Sequence, residues 1–356
     1  MTPNHPVGII GWGAYIPQYR IKVKTIATVW GTYTERVTEG LGIEEKAVAG
    51  PDEDTITISI ESAQNAIKRA QIEPSEIGAV LTGSESPPYA VKPTGCTVAE
   101  VIGTTPNILA ADLEFACKAG TEAMQFCMGL VSSGMIKYGL AIGSDVAQSA
   151  PGDDLEYAAA AGGGAFIIGK LDGEAAASIN ASNSYVTDTP DFWRRAEQPY
   201  PKHGGVFTGQ SYFQHVINAG KQLMNDLEMK PQDFQHAIFH QPNSKFPEKA
   251  AKELGFTSEQ IRVGKLVSKI GNTYAGCIPL SLSAVLDVAQ AGDNILVVSY
   301  GSVAGSDAFQ IVVQDAIEDK RELAPTVQDY VDRKDYVGYA CYAKWRRMII
   351  GIDARR

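Results

Sequence analysis

Apolar positions along the chain alternate between two spacings, one typical of strands and one typical of helices. Continuous apolar runs that end at Gly, Pro or polar clusters predict buried strands over Val7–Ile16, Ile77–Thr82, Tyr138–Gly143, Ala165–Ile168, Ala176–Tyr185, Ala237–Phe239, Asn294–Tyr300 and Ala308–Gln314. Apolar residues at every third or fourth position predict helices over Val23–Trp30, Thr55–Ala70, Thr208–Glu228, Ser244–Leu254 and Ala275–Ala289, and from Ala119 onward. Strands and helices that follow one another in this way are typical of an α/β fold.

The pattern restarts after Leu171-Asp172-Gly173, which predicts an N-terminal half, 1–171, and a C-terminal half, 172–356. The halves correspond, because Pro74-Ser75-Glu76-Ile77 opens one apolar strand and Pro231-Gln232-Asp233-Phe234 opens its counterpart. A chain of 356 residues also exceeds the length that one hydrophobic core usually supports. Duplicated βαβ units of this kind predict two pseudo-symmetric halves stacked as a five-layered αβαβα fold.

Four polar side chains stand at matching element ends in the two halves. Glu85 follows a strand and Cys117 precedes a buried helix in the first half, and His240 and Asn272 take the corresponding places in the second. The pseudo-symmetry predicts that these ends converge on one site. A nucleophile, an acid–base carboxyl, a hydrogen-bonding imidazole and an amide are the groups that a Claisen-type acyl condensation requires.

Cys117 is the candidate nucleophile. Unpaired backbone N–H groups and the positive end of a helix dipole favour its thiolate form, although most free cysteines are small buried hydrophobes. Cys277 is the rival thiol, and because it is expected past the start of its helix, packing is the favoured interpretation there. The small-residue run from Ala158 to Gly164 favours close packing of backbone layers over contact with a thin ligand.

Composition narrows the function classes. With 44% hydrophobic and 20% charged residues the chain is typical of a globular enzyme, and its net charge of −10 argues against nucleic-acid binding. The five cysteines are odd in number and widely spaced, so neither a disulfide framework nor a metal site is predicted. No apolar run reaches membrane-spanning length and the N-terminus does not resemble a signal peptide, which favours a reducing cytoplasm.

The chain carries five short motifs in a fixed order. They are Gly83-Ser84-Glu85-Ser86, Phe115-Ala116-Cys117-Lys118-Ala119-Gly120, Phe239-His240-Gln241-Pro242, Gly271-Asn272-Thr273-Tyr274 and Ser299-Tyr300-Gly301-Ser302. Together they resemble the 3-hydroxy-3-methylglutaryl-CoA (HMG-CoA) synthases of the thiolase superfamily, in particular the short archaeal type. The resemblance spans essentially the whole chain and implies a thiolase-like fold, CoA thioesters as substrates and no cofactor.

The resemblance also implies a role for each candidate residue. Cys117 would take the acetyl group of acetyl-CoA as a thioester, and Glu85 would remove a proton from the acetyl methyl group and later act in hydrolysis. His240 would hold the acetoacetyl-CoA carbonyl by a hydrogen bond and assist protonation of the new tertiary alcohol. The Asn272 side chain and the backbone near Ser302 would polarise thioester oxygens.

Binding of the CoA moiety is assigned to residues around this site. Lys245 and Lys249 lie one helical turn apart and would hold CoA phosphates, with a solvated helix face as the alternative interpretation. The resemblance places Ala158 and Thr208 in the lining of a pantetheine tunnel. Where relatives carry an Asp near the substrate carboxylate this chain has Tyr33-Thr34, so no residue is assigned to that contact.

Other basic residues carry weaker expectations. Lys202, Arg194 and Arg195, in a polar and aromatic insert, are the alternative phosphate ligands. The basic residues of the tail are expected to face solvent, namely Lys344, Arg346, Arg347, Arg355 and Arg356.

The resemblance implies a homodimer that pairs through a sheet edge, and a complex with acetoacetyl-CoA thiolase and a small bridging protein with a zinc ribbon and an OB-fold. Two other functions stay open: another acyltransferase of the superfamily, such as a ketoacyl synthase-like enzyme, and a non-catalytic scaffold subunit of a thiolase complex. A glutamate at position 85 separates the synthase from the first. A scaffold would need none of Cys117, Glu85 and His240.

Overall fold

The computed structural model of the protein describes residues 1–147, 149–303 and 305–349, apart from the side chain of Val206. Arg355 and Arg356 lie outside the described residues. The N-terminal half contains the strands β1 (Val7–Tyr15), β2 (Tyr19–Lys22), β3 (Glu45–Val48), β4 (Ile77–Gly83), β5 (Leu109–Leu113), β6 (Tyr138–Val146) and β7 (Ala161–Lys170). Its helices are α1 (Val23–Trp30), α2 (Thr34–Leu41), α3 (Thr55–Ala70), α4 (Thr94–Ile102) and α5 (Ala119–Ser132).

The C-terminal half continues the same alternation of strands and helices. Its strands are β8 (Ala177–Val186), β9 (Phe192–Trp193), β10 (Lys202–His203), β11 (His236–Phe239), β12 (Asn294–Val298), β13 (Gly305–Val313) and β14 (Asp335–Tyr336). Its helices are α6 (Gly205–Asp226), α7 (Lys245–Leu254), α8 (Ser258–Arg262), α9 (Val267–Ile270), α10 (Cys277–Leu286), α11 (Ile317–Lys320), α12 (Val327–Asp332) and α13 (Tyr339–Trp345).

The largest sheet has the strand order β11-β12-β13-β8-β1-β7-β6-β4-β5. Its centre is a short antiparallel pairing of β1 with β8, in which Val7 lies opposite Ile179. Moving outward from this centre, β7 and β13 pair antiparallel with their inner neighbours, and so do β6 and β12. β4 and β11 then follow in parallel. The two halves therefore repeat one strand order on either side of the β1–β8 pair.

Three hydrophobic clusters show how the helices are layered on the sheet. The central cluster unites α5 and α10 with strands of both halves, including Phe166 of β7 and Phe309 of β13. The neighbouring residue Ile167 points to the other face of β7 and packs in a cluster with α3 and α4. A third cluster joins α6 and α7 to the C-terminal strands. The strands of this sheet on the β1 side of the β1–β8 pair and those on the β8 side count as two sheet layers, with α5 and α10 between them. With the outer helices they make five layers, and the predicted thiolase-like fold class is confirmed.

Most predicted elements are present, and the differences have local causes. Helix α2 was not expected, because none of its residues is fully buried and only Val37 and Leu41 give it an apolar side. Helix α4 has only a short apolar pattern after Pro93, and it was also missed. Helix α10 starts at Cys277 instead of Ala275, because the residues before it form a 3-10 turn. The division of the chain at residue 171 stays a prediction.

The small residues of β7 allow close packing against α10. A Cβ atom at Gly164 would lie 2.8 Å from Cβ of Pro279, and one at Gly162 would lie 3.0 Å from Cδ1 of Leu280. This close approach supports the packing interpretation for the glycines of the small-residue run, and contact of Ala158 with a ligand stays a prediction. Separately, none of the helices in the described part of the chain has the length and apolar character needed to cross a membrane.

Candidate active site

Cys117 lies in a sharp turn between β5 and α5. Ala116 before it has a φ of 43°, in the left-handed region that costs an L-residue about 1–2 kcal/mol. The Cys117 side chain is 5% exposed and packs in a small cluster with Ala147, Ala159 and Tyr274. These neighbours come from both halves of the chain. The candidate nucleophile therefore lies where residues of the two predicted halves meet.

The Cys117 thiol donates a hydrogen bond to Oε1 of Glu85, with 3.4 Å between Sγ and the oxygen. Burial raises the pKa of Cys117 well above its usual value, and the nearby charge of Glu85 raises it further. The expectation of a thiolate at the helix N-terminus is therefore wrong for the resting enzyme. Burial and the opposing carboxylate outweigh the helix dipole, and the thiol keeps its proton.

Asp145, at the end of β6, holds the Glu85 segment in place. Its Oδ1 accepts hydrogen bonds from the Glu85 backbone N–H at 2.9 Å and from the hydroxyls of Ser84 at 2.7 Å and Ser86 at 2.6 Å. Its Oδ2 accepts from the backbone N–H of Ala275 at 2.7 Å, in the other half. Burial raises the pKa of Asp145 to about 6, and burial together with the Asp145 charge raises the pKa of Glu85 well above its usual value.

Sequence analysis missed Asp145. The signal it could have used is position, since Asp145 ends a buried strand directly after Gly143-Ser144, as Glu85 does after β4. The hydrogen-bond partners of Asp145 could not be predicted from the sequence, because they come from segments far apart in the chain.

His240 follows β11 and is almost completely buried. Its backbone is fixed at both ends, because its N–H donates to the Val298 carbonyl at 3.0 Å and its carbonyl accepts from the Tyr212 hydroxyl at 2.7 Å. Burial lowers the pKa of His240 to about 3, so the imidazole is neutral near pH 7. Among the described residues its buried Nδ1 has no hydrogen-bond partner. Buried polar atoms without a partner are rare and suit contact with a bound molecule.

Asn272 lies beside the Cys117 cluster. Its backbone N–H donates to the Ala158 carbonyl at 2.8 Å, and its side-chain Oδ1 accepts from the Tyr274 N–H at 2.9 Å. Because Oδ1 is occupied, the amide NH₂ is the end of the side chain left to donate. Tyr274 packs directly with Cys117, and so does Ala159, the residue after Ala158.

Thr208 and Ser302 lie in other segments that were assigned to substrate binding. Thr208 lies in the first turn of α6, and its buried Oγ1 has no hydrogen-bond partner within the described residues. Ser302 is 8% exposed in a turn closed by mutual backbone hydrogen bonds between Gly301 and Gly305. In the described part of the chain no hydrogen bond joins the His240 side chain to Cys117 or Glu85, so their joint action stays a prediction.

The two lysines proposed for CoA phosphates are exposed on α7. Lys245 is the first residue of the helix, and its N–H donates to Oδ1 of Asn243 at 2.9 Å. The Lys249 ammonium lies 4.2 Å from the centre of the Phe213 ring. Both are accessible to a phosphate, and nothing in this geometry assigns one to them. Tyr33 is 81% exposed.

The polar insert covers one side of the site. Phe192 packs against the Cys117 cluster, and the Arg194 charge lowers the pKa of Glu85 against the larger effect of burial. The buried Asp191 ties this segment to the turn after β12 by accepting from the Val303 N–H at 2.8 Å. The insert also lines a cavity of about 560 Å³ that includes Trp193, Tyr200, Lys202 and His203.

Two expectations for other residues need correction. Arg346 is not a free solvent-exposed charge, because its Nη2 donates to the carbonyls of Val146 at 2.9 Å and Ala147 at 3.3 Å, behind the Cys117 cluster. Cys277 is the first residue of α10 and does not lie past its start. It is nevertheless buried, and burial raises its pKa to about 12, as expected of a packing residue.

Comparison with known sequences gives close relatives over nearly the full length. The Hydroxymethylglutaryl-CoA synthase of Methanocaldococcus jannaschii is 59% identical over 96% of this chain and 99% of that protein. That of Pyrococcus furiosus is 57% identical over 98% of this chain and 99% of that protein. A family model described as 3-Oxoacyl-[acyl-carrier-protein (ACP)] synthase III C terminal matches residues 224–311.

Solved structures are similar over most of the chain. One of MvaS in complex with 3-hydroxy-3-methylglutaryl coenzyme A has a TM-score of 0.88 at 21% identity, covering 98% of this chain and 92% of that one. One of 3-oxoacyl-[acyl-carrier-protein] synthase III from Aquifex aeolicus has a TM-score of 0.79 at 21% identity, covering 86% and 99%. At these identities the structural likeness shows a shared fold.

Proposed function

Because the chain belongs to the hydroxymethylglutaryl-CoA synthase family, we propose that Cys117, Glu85 and His240 carry out the condensation of acetyl-CoA with acetoacetyl-CoA. The reaction joins the two CoA thioesters and one water to give HMG-CoA and free CoA. The observation that carries the assignment of residues is the hydrogen bond between the Cys117 thiol and the Glu85 carboxyl inside a buried cluster.

The first step is acyl transfer to sulfur. Cys117 Sγ attacks the acetyl carbonyl, the C–S bond to CoA breaks, and the departing CoA sulfur takes up the proton that the thiol gives up. The Asn272 amide and the backbone near Ser302 donate hydrogen bonds to the carbonyl oxygen as negative charge develops on it. Donors of this kind are worth roughly 3–4 kcal/mol each in acyl transfer.

The second step forms the carbon–carbon bond. Ionised Glu85 removes a proton from the acetyl methyl group, and the resulting carbanion attacks the ketone carbon of acetoacetyl-CoA. The raised pKa of Glu85 makes its carboxylate a stronger base than a solvated one. Neutral His240 donates a hydrogen bond to the ketone oxygen and assists its protonation. Water then cleaves the Cys117 thioester, which releases HMG-CoA and restores the thiol.

CoA binding involves the surroundings of this centre. We assign Lys245 and Lys249 to the CoA phosphates and the segments around Ala158 and Thr208 to the pantetheine chain. Support comes from the exposure of both lysines and from the unpartnered hydroxyl of Thr208. The alternative phosphate site is the insert cavity, with Lys202 in its wall.

Labelling by acetyl-CoA tests this function. Protein incubated with radiolabelled acetyl-CoA should carry label on the Cys117 peptide, the Cys117→Ser variant should carry none, and Cys277→Ala should be labelled like wild type. Product analysis after addition of acetoacetyl-CoA separates the synthase from a ketoacyl synthase-like enzyme. Absence of covalent label would contradict the proposal and support a scaffold role.

A homodimer is part of the proposal. β5 is an edge strand of the main sheet, flanked by α4 and α5, and its Leu109 is 50% exposed. Val101 of α4 and Phe126 of α5 are also exposed. Open edges and apolar patches of this kind favour pairing with a second copy. Leu109→Glu should shift sedimentation from dimer to monomer, and an unchanged dimer would place the interface elsewhere.

Two further expectations rest on the resemblance. We propose association with acetoacetyl-CoA thiolase through a small protein with a zinc ribbon and an OB-fold, which joint purification of the three proteins would test. We also propose a reducing cytoplasmic setting. All five cysteines are unpaired, and Cys117 must be reduced to act.

A further inference from the structure

A cluster of buried charged groups that the proposed steps do not use lies beside the nucleophile. Lys118, the residue after Cys117, is completely buried, and its Nζ lies 3.2 Å from each carboxylate oxygen of Asp307, which is also completely buried. The same ammonium pairs with Glu122 one turn along α5 and lies 4.1 Å from the centre of the Phe115 ring. One ammonium therefore contacts the chain on both sides of Cys117.

Asp307 belongs to β13, in the other half of the chain, and is itself firmly held. The Thr121 hydroxyl donates to its Oδ2 at 2.6 Å, and the Ser184 hydroxyl donates to its Oδ1 at 2.7 Å. Its backbone N–H donates to Oγ of Ser299 at 2.9 Å. These hydrogen bonds hold the Asp307 carboxylate in place independently of Lys118.

The two halves are also closely packed around the Lys118–Asp307 pair. A Cβ atom at Gly305 would lie 2.7 Å from the Phe115 ring and 2.8 Å from Cε of Lys118. One at Gly301 would lie 2.5 Å from the Phe115 carbonyl oxygen. Only glycine at these two places lets β13 and its turn press against the segment that carries Cys117.

We propose that Asp307 is a positioning residue for Cys117, acting through Lys118. Cys117 comes from one half of the chain, whereas His240 and Asn272 come from the other. The Lys118–Asp307 pair joins the halves at the residue next to the nucleophile, and it holds the strained turn at Ala116 so that Sγ points at the acetyl carbonyl. This inference rests on the proposed role of Cys117 as the nucleophile.

A purely structural role and a positioning role predict different results. Buried ion pairs can often be replaced by neutral groups of similar volume without loss of stability, whereas removing one partner leaves an uncompensated charge. Misplacement of a reacting group by about 1 Å costs about 100-fold in rate. A neutral replacement of both partners should therefore keep the fold and slow the reaction, since Glu122, the third member of the cluster, is 23% exposed and keeps access to water.

The test uses the full-length enzyme with the double substitution Lys118→Met and Asp307→Asn. Three quantities are measured: the melting temperature, the rate of Cys117 alkylation by iodoacetamide, and the rate of acetyl transfer from labelled acetyl-CoA to Cys117. We expect near wild-type melting and alkylation, with acetyl transfer slowed by about 10- to 100-fold. The control replaces an exposed ion pair, as Lys137→Met with Glu76→Gln, and should leave all three unchanged.

Two outcomes would overturn the inference: wild-type acetyl transfer in the folded double variant, or a parallel loss of melting temperature, alkylation and transfer. Should the double variant not fold, Ser184→Ala takes its place, because it removes one bond to Asp307 from an exposed position. It should slow acetyl transfer, and Ser184→Thr should restore it; an unchanged rate in Ser184→Ala would then overturn the inference. Failure of wild type to be labelled at Cys117 would instead contradict the proposed function.

Discussion

Single residues in the site owe their reactivity to burial. Burial and the Asp145 charge raise the pKa of Glu85, which strengthens it as a base. Burial lowers the pKa of His240 to about 3, so the ring is neutral near pH 7, as its proposed role as a hydrogen-bond donor requires. Burial and the Glu85 charge raise the pKa of the Cys117 thiol, so the proposed nucleophile is protonated before substrate binds.

Replacing Glu85 should separate acylation from condensation. In Glu85→Ala, acetyl-Cys117 should still accumulate, while the rate of HMG-CoA formation should fall by about 10²–10⁴-fold because the base for the methyl proton is gone. Intact-protein mass spectrometry and product analysis measure the two steps. Glu114→Ala, which removes an exposed carboxylate near the same turn, is the control. If the Glu85→Ala protein cannot be acetylated, Glu85 is also needed for acetyl transfer, which would contradict this prediction.

His240 should make the protein sensitive to acid. The unfolded chain binds a proton on this imidazole below about pH 6.5, whereas the folded protein resists until about pH 3, so the free energy of unfolding should fall as pH falls between these values. The slope from this one group is at most about 1.4 kcal/mol per pH unit. Urea unfolding of His240→Gln should show a weaker pH dependence, and exposed His5→Gln should match wild type. Identical slopes for His240→Gln and wild type would contradict the burial account.

Residue-level prediction worked where the chemistry is carried by a local motif. Glu85 and Cys117 were selected from two motifs, and the structure brings them into hydrogen-bond contact. Asp145 was missed because its partners come from two segments far apart in the chain, Ser84–Ser86 and Ala275. The thiolate expectation for Cys117 failed because the helix dipole is local, whereas burial and the Glu85 charge arise only on folding.

Helix α5 packs closely against α10 and the turn before it. A Cβ atom at Gly120 would lie 2.6 Å from the Ala275 carbonyl oxygen, whereas one at Gly129 of the same helix meets nothing within 4 Å. Gly120→Ala should therefore destabilise the protein by about 1–3 kcal/mol through overpacking. Gly129→Ala should stabilise it by about 0.5–1 kcal/mol, since alanine favours helix. Denaturant unfolding checks both, and equal effects would contradict the close approach of α5 and α10.

Helix α7 carries the proposed phosphate contacts. Lys245→Ala combined with Lys249→Ala should raise the KM for acetyl-CoA and acetoacetyl-CoA with little change in kcat, since each exposed contact is worth only roughly 0–1 kcal/mol. The effect should shrink as salt concentration rises. Lys252→Ala, on an exposed position of the same helix, is the control. Unchanged KM values at low salt would contradict this assignment and favour the insert cavity as the site of the CoA phosphates.

Elements with a clear apolar period were predictable, and those without one were not. Strands β1, β4 and β6 were expected near their observed bounds, and α3 was expected at Thr55–Ala70 as observed. Helix α2 has only two apolar residues, Val37 and Leu41, which is too few for a period to be recognised in the sequence. The insert strands β9 and β10 are two residues each, too short for any pattern to predict.

At the scale of the whole molecule, duplication explains why the site forms where it does. The same strand order extends outward from the β1–β8 pair on both sides. The contacts of Tyr274 with Cys117 and of Ala275 with Asp145 bring the two halves together at the site, whereas the approach of His240 to Cys117 stays a prediction. The buried ion pair between Lys118 and Asp307, which joins the halves, could not be predicted, because the sequence around each residue does not indicate that the two are in contact.

The most direct test of the central claim follows one acetyl group through the enzyme. Wild-type protein is first labelled with radioactive acetyl-CoA, freed of excess substrate, and then mixed with unlabelled acetoacetyl-CoA in a rapid-quench apparatus. The account predicts that label leaves the Cys117 peptide and enters HMG-CoA at the same rate. Label that stays on Cys117 while HMG-CoA forms, or product formed by Cys117→Ser, would contradict it.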